Sequence, residues 1–145
     1  MSIRLIAALI VLAAVCAAPV AAGARRASVT VKPSSFGRIL FDGRGFVLYG
    51  FTRDRHGKSG CSGACAAAWP PYIVKSGARA GAGIAVRRLG TTRRADGSLQ
   101  VTYAGRPLYY YIGDRRPGQI LCQGVPEYGG IWRVIRPSGE LVKRR

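Results

Sequence analysis

Three thiols and one imidazole are the side chains of this chain best suited to chemistry. Cys61 and Cys65 are separated by three residues, Cys122 follows far downstream, and His56 is the sole histidine. Three sulfurs and an imidazole suit a tetrahedral zinc or a soft copper(I) ion, so Cys61, Cys65, Cys122 and His56 are the candidate metal ligands. The spacing Cys-x-x-x-Cys is not a strong metal signature, however, and His56 falls in a turn where solvation is the ordinary state. In an oxidising compartment, three thiols default to one disulfide and one leftover cysteine. The segment Cys61-Ser62-Gly63-Ala64-Cys65 can close such a bridge if it is a loop rather than regular helix. Cys61 with Cys65 is therefore the predicted pair. A bridge from Cys122 to either partner, or to another molecule, stays open. Haem attachment is a weaker reading than a metal site, because Cys-x-x-Cys-His is absent.

A second set of residues recurs. Tyr49, Phe51 and Asp54 return sixty positions later as Tyr109, Tyr111 and Asp114, and Gly45, Leu48 and Arg55 as Gly105, Leu108 and Arg115. Beyond the aspartates the register slips, yet Cys61 still meets Cys122 and Trp69 meets Trp132. The chain is an internal duplication. Twin aromatic and carboxylate sets could stack a sugar or quinone, and two carboxylates bring glycoside chemistry to mind. The structural reading is stronger. Same-face aromatics on a hairpin fill the core of a small β domain, and an aspartate just past a strand caps a turn. No Ser-His-Asp or Cys-His arrangement and no phosphate loop occurs. No catalytic residue and no cofactor is assigned.

The elements that must position these residues are short. Ile39-Leu40-Phe41 reads as a strand, residues 42–45 as a turn and residues 46–51 as the returning strand of a hairpin. Side chains alternate along a strand, so Tyr49 and Phe51 share one face and Leu48 takes the other. Residues 64–69 form one or two helical turns, stopped by Pro70 and Pro71. Residues 72–74 make a strand, and the Gly- and Ala-rich residues 76–88 connect the units. In the second unit, strands are predicted over 99–103 and 108–112, then over 131–135 after Gly129-Gly130. The expected fold is mainly β: two tandem hairpin-based repeats, residues 36–75 and 89–142, packed as one small domain with a short helical segment near 62–69.

Location and charge come from the ends and the composition. Arg4, an apolar run over residues 5–18 and small residues up to Ala24 form a secretory signal peptide, residues 1–24, cleaved after Ala22 or Ala24. The run is short and broken by Pro19, which disfavours a retained membrane helix. Cys16 invites a lipid anchor, but Val15 stands before it where a lipoprotein signal has a small residue, so Cys16 is read as part of the leader. The net charge of +17 attracts anionic lipid heads, cell-envelope polymers or nucleic acid through long-range, salt-sensitive forces. No nucleic-acid-binding motif accompanies it, so no specific nucleic-acid partner is expected.

The co-occurrence of several pieces carries a resemblance. Tyr49-Gly50-Phe51-Thr52-Arg53-Asp54, Tyr109-Tyr110-Tyr111-Ile112-Gly113-Asp114, the Cys61 to Cys65 segment with Trp69-Pro70-Pro71, the turn at 94–97, and Gly129-Gly130-Ile131-Trp132 follow one another in order. Over residues 36–139 the chain resembles the secreted repeats of unknown function, also described as predicted lipoproteins with a Tyr-x-aromatic-x-x-Asp motif. The resemblance implies an envelope or secreted location and a tandem repeat, and it carries no catalytic residues. The expectation is a non-enzymatic binding module of the bacterial envelope, secreted or periplasmic. The alternative is an extracytoplasmic redox or metal protein using the cysteine segment.

Overall fold

The structure, a computed structural model, describes residues 28–144. The signal peptide assigned to residues 1–24, with Cys16, lies outside the described residues. The fold is mainly β, as expected, and its strands are short and spread over three small sheets. In the first, β1 (Ser28–Ser34) pairs antiparallel with β2 (Gly37–Asp42), and β5 (Arg79–Ala80) adds in parallel to the other edge of β1. The second has the order β3 (Tyr49–Phe51), β10 (Gly130–Val134), β9 (Val125–Glu127). The third sets β7 (Leu99–Tyr103) between β4 (Ile73–Val74) and β6 (Leu89–Arg93), with β8 (Arg106–Pro107) also on β7. One helix, α1 (Ala64–Ala68), lies within the segment expected to be helical, and the prolines that follow Trp69 leave it no N–H groups to continue.

The pairing crosses between the units. β3 of the first repeat pairs with β10 of the second, aligning Phe51 with Trp132 and Tyr49 with Val134. β4 of the first pairs with β7 of the second. The two repeats are thus interleaved, and the side-chain alternation seen in the sequence serves two cores at once. Tyr49, Phe51 and Tyr109 enter one cluster, together with Trp69, Trp132 and the three cysteines. Leu48 and Leu108 point the opposite way into a second cluster with Leu40, Val101, Tyr103 and Ile135. One strand step separates the two cores.

Several expected strands are shorter than the sequence indicates, for identifiable reasons. Of residues 46–51 only Tyr49–Phe51 is regular strand. Phe46 is drawn into the turn by Asp42, which receives the N–H groups of Arg44 and Phe46 on Oδ1, each at 2.9 Å. Val47 and Leu48 pair back onto β2 only through an isolated bridge to Phe41 and a bond to Leu40 at 3.0 Å. Residues 108–112 form no named strand. Tyr110 and Ile112 donate to the carbonyls of Pro70 and Ala68 at 2.8 and 3.0 Å, and Tyr72 returns its N–H to Leu108 at 2.9 Å. Pro70 has no N–H to return to Tyr110, so the pairing ends at a single Pro71–Tyr109 bridge. The connector assigned to residues 76–88 is more ordered than its composition implies. It holds β5, docked on β1, and a 3-10 turn at Val86–Arg88.

Candidate functional site

The twin motif meets itself at the centre of the molecule. Tyr49 and Tyr109 form an antiparallel bridge in which each donates its N–H to the other's carbonyl, at 2.9 and 3.0 Å. A bridge between equivalent residues relates the two copies by a local two-fold rotation, and the side chains obey it. The Tyr49 hydroxyl donates to Oδ2 of Asp114 at 2.7 Å, and the Tyr109 hydroxyl lies 3.1 Å from Oδ1 of Asp54, sharing its proton between that oxygen and Ser59 Oγ at 2.8 Å. Each aspartate also accepts the N–H of the residue before a cysteine: Gly60 to Asp54 at 2.7 Å, Leu121 to Asp114 at 3.0 Å. The turns behind the aspartates reach across in the same way, Gly57 donating to the Gly105 carbonyl at 2.7 Å and Gly118 to that of Gly45 at 2.9 Å. Gly45 and Gly105 both hold positive φ, 94° and 74°, the backbone form that glycine adopts without strain.

The aromatic partners are exchanged likewise. Phe51 stacks on Trp132 at 4.1 Å, Trp132 on Trp69 at 4.0 Å, and Trp69 meets Tyr111 at 4.7 Å, so four rings run in one column. Tyr49 and Tyr109 meet Trp69 and Trp132 edge to face at 5.2 and 5.1 Å. Five of these six rings are buried, and Tyr111 alone is partly exposed. Offset and edge contacts of this kind add to the burial of large apolar surface. The motif residues are core, and the hydroxyls of Tyr49 and Tyr109 are directed at the aspartates of the opposite copy.

Burial without full satisfaction leaves one aspartate unusual. Asp54 Oδ2 is buried and has no hydrogen-bond partner. Desolvation pushes the Asp54 carboxyl up to about 6, against the hydrogen bonds from Gly60 and Tyr109. Asp114 is raised too, again by burial, and the phenols of Tyr49 and Tyr109 are pushed well above their ordinary value by the same desolvation.

The cysteine segment follows the motif. Cys61 and Cys65 are joined in a disulfide, their Cα atoms 5.3 Å apart, across the entry into α1. Cys122 is a free, buried thiol beside the Tyr111 hydroxyl, and burial raises its pKa. His56 is exposed in its turn and lies against Gly105. Among the described residues no three His, Cys, Asp or Glu side chains cluster as a metal site requires. The residue type that holds this segment was not singled out from the sequence. Arg94, from the turn after β6, donates to Ser59 Oγ at 2.9 Å, Gln100 Oε1 at 2.8 Å and the Cys61 carbonyl at 2.7 Å. An arginine in a hairpin turn carries no signal in sequence that it points inward.

The model of the family described as a secreted repeat of unknown function matches residues 30–72 and again residues 90–136, more than half of the chain. The chain belongs to this family. No curated protein and no solved structure matches it. In this secreted repeat protein the two matched segments are the two copies that exchange Tyr, Asp and Trp across the centre.

Away from that centre, the secreted repeats leave a basic groove of 830 Å³ between β10, β8 and the C-terminal residues, lined by Arg106, Arg133, Arg136, Lys143 and Arg144 with Glu140. Three of its arginines are anchored to carbonyls, not to acids. Arg106 Nε donates to the Gly139 carbonyl at 2.9 Å, Arg133 Nη1 to that of Val142 at 2.8 Å, and Arg144 Nη2 to that of Ser35 at 3.1 Å. Such contacts fix the side chains and leave their charge uncompensated. Five of the six acids are occupied elsewhere: Asp54 and Asp114 by tyrosines, Glu127 by Trp69 Nε1 at 2.9 Å, Asp96 by Ser98, and Asp42 by Arg44, the one ion pair among the described residues. The sixth, Glu140, lies in the groove, where it accepts the Ser138 hydroxyl at 3.3 Å and forms no ion pair. The sequence pointed to the basic tail; it did not reveal that Arg106, Arg133 and Arg136 converge on it.

Proposed function

We propose that this protein is a non-enzymatic binding module, exported by the signal peptide at residues 1–24 to the periplasm or cell exterior, that holds anionic lipid or polymer of the envelope in the groove of Arg106, Arg133, Arg136, Lys143 and Arg144. The observation that carries this reading is a cluster of five cations, three of them held by carbonyls, that form no ion pair among the described residues. An anionic surface supplies the missing counter-charge and releases its own counterions, so the attraction is strong at low salt and weakens as the Debye length shrinks. The buried motif supports the same reading, since its hydroxyls and carboxylates are consumed by folding.

The test is retention of the purified protein on vesicles containing an anionic phospholipid, on neutral vesicles, and on anionic wall polymer, across a salt series. Binding to an anionic surface that falls steeply with salt is the expected outcome, and the two anionic arms identify the partner. The double variant Arg136→Gln, Lys143→Gln should weaken binding roughly thirty-fold, at about 1 kcal/mol per basic residue. Salt-independent retention, or equal retention on neutral vesicles, would overturn the proposal.

A further inference from the structure

A second concavity, sharing no lining residue with the basic groove, opens where the first hairpin turn faces the second repeat. This cleft of 890 Å³ is lined by Asp42, Arg44, Pro71, Tyr72, Arg79 and Tyr110, among others, and its size lies in the range of small-molecule sites. Its polar atoms can be accounted for one at a time. Asp42, 2% exposed, accepts the N–H groups of Arg44 and Phe46 on Oδ1. On Oδ2 it accepts Arg44 Nε at 2.9 Å and the Tyr110 hydroxyl at 3.1 Å. A carboxylate has about four acceptor positions, so Asp42 has none left for a ligand. The Tyr110 hydroxyl is spent on Asp42, and the Tyr72 hydroxyl donates to the Ser28 carbonyl at 3.1 Å.

Apart from the Ser28 hydroxyl, the side-chain groups left unengaged are donors. Arg44 uses Nε and its backbone N–H on Asp42, leaving both terminal guanidinium nitrogens without a partner on a side chain that is 70% exposed. Its orientation is nonetheless fixed, by Asp42 beneath and by the rings of Phe46 and Tyr110 at 5.1 and 5.8 Å. Arg79, exposed on β5, has no acidic partner among the described residues. The remaining lining is flat and apolar: Pro70, Pro71, the exposed Ile73, and the rings of Tyr72 and Tyr110, 5.2 Å apart. An excess of cationic donors repels cations and favours an anionic acceptor. A planar guanidinium with a free fork matches the two oxygens of a carboxylate or phosphate.

We propose that this cleft binds a small organic oxyanion, a ring-bearing carboxylate or phosphate monoester, with Arg44 and Arg79 on the oxyanion and the ring against Tyr72, Tyr110 and Pro71. The site is independent of the envelope-binding groove and stands or falls without it.

The experiment is titration calorimetry with benzoate, phenyl phosphate, inorganic phosphate and neutral benzamide. At least one of benzoate and phenyl phosphate should bind, and the comparison of the two assigns the oxyanion. Benzamide and inorganic phosphate should each bind roughly ten-fold more weakly than that anion, since each lacks one half of the recognition. Arg44→Gln should cost roughly ten-fold for the ring anions and leave benzamide unchanged. Arg79→Gln, at a residue that holds nothing in the fold, should act in the same direction and serves as the check if Arg44→Gln disturbs the turn. Arg136→Gln, in the basic groove, should change nothing. Four results would each overturn the proposal: no binding of either ring anion at millimolar concentration, benzamide as tight as the anions, inorganic phosphate as tight as phenyl phosphate, or equal losses in Arg79→Gln and Arg136→Gln.

Discussion

The two copies of the repeat agree at the centre and differ just beyond it. At the centre, each tyrosine finds the other copy's aspartate and each motif aromatic finds the other copy's tryptophan. Beyond it, the first copy closes a disulfide and a short helix between motif and tryptophan, while the second has the lone Cys122 and strand β9. Trp69 Nε1 has Glu127 at 2.9 Å, whereas Trp132 Nε1 is buried without a partner. The contrast separates two roles. The Tyr–Asp and aromatic–Trp contacts between the copies match on both sides, because a change in one copy breaks a partner in the other, whereas the Trp69–Glu127 bond crosses between the copies with no counterpart at Trp132. Contacts made on the flank of a single copy are free to diverge.

The largest test of this contrast removes the rings. Trp69→Ala and Trp132→Ala should each cost about 3–5 kcal/mol in denaturant unfolding, because each tryptophan sits inside the four-ring column. A cost confined to one of them would show that the column is not shared. The next test separates the aspartates by pH. Asp54 is held near 6 in the folded protein against an ordinary value of 3.8, so the folded state favours its protonated form. That contribution is fully present below pH 3.8 and is lost as the pH rises through 6, on the order of 3 kcal/mol over the window. Asp54→Asn should flatten this slope in melts taken from pH 4 to 7, and a slope unchanged by the substitution would refute the assignment.

Smaller effects probe the flanks. Cys61→Ala with Cys65→Ala should cost about 2 kcal/mol, the chain-entropy value for so short a loop. If the flank tolerates divergence, the double variant should still give a native near-ultraviolet spectrum. Finally, Trp69→Phe should cost about 1 kcal/mol more than Trp132→Phe. The first loses a hydrogen bond to Glu127, and the second removes a buried N–H that had no partner. Equal costs would show that the flanks differ in sequence without differing in energy.

Much of the fold was legible in particular residues. The alternation of Leu48 with Tyr49 and Phe51 announced two faces, and both are cores. Pro70 and Pro71 announced the end of α1. The same prolines shorten the strand expected at 108–112, and this could not be seen because the partner of that strand lies forty residues away in the chain. The aspartates were read as turn caps, which describes their bonds from Gly60 and Leu121. Their second bonds, to the opposite tyrosines, were hidden for a physical reason. A hydroxyl and a carboxylate within one motif look like a local pair, and spacing alone does not say whether the partner belongs to the same copy or the other. Arg94 and Arg44 were equally opaque, since an arginine in a turn shows its role only through what surrounds it.

The exchange of tyrosine and aspartate has a consequence for how such a chain could arise. One repeat by itself has a tyrosine without its acceptor, an aspartate without its donor and half of a ring column, and β3 lacks the strand that covers it. Two copies of a single-repeat chain would satisfy all of these by the same rotation that relates Tyr49 to Tyr109. A polypeptide carrying one copy should therefore sediment as a symmetric dimer, and a folded monomer would refute this. In that light the duplicated chain is a homodimer made permanent by a peptide linker, with its partner always at hand.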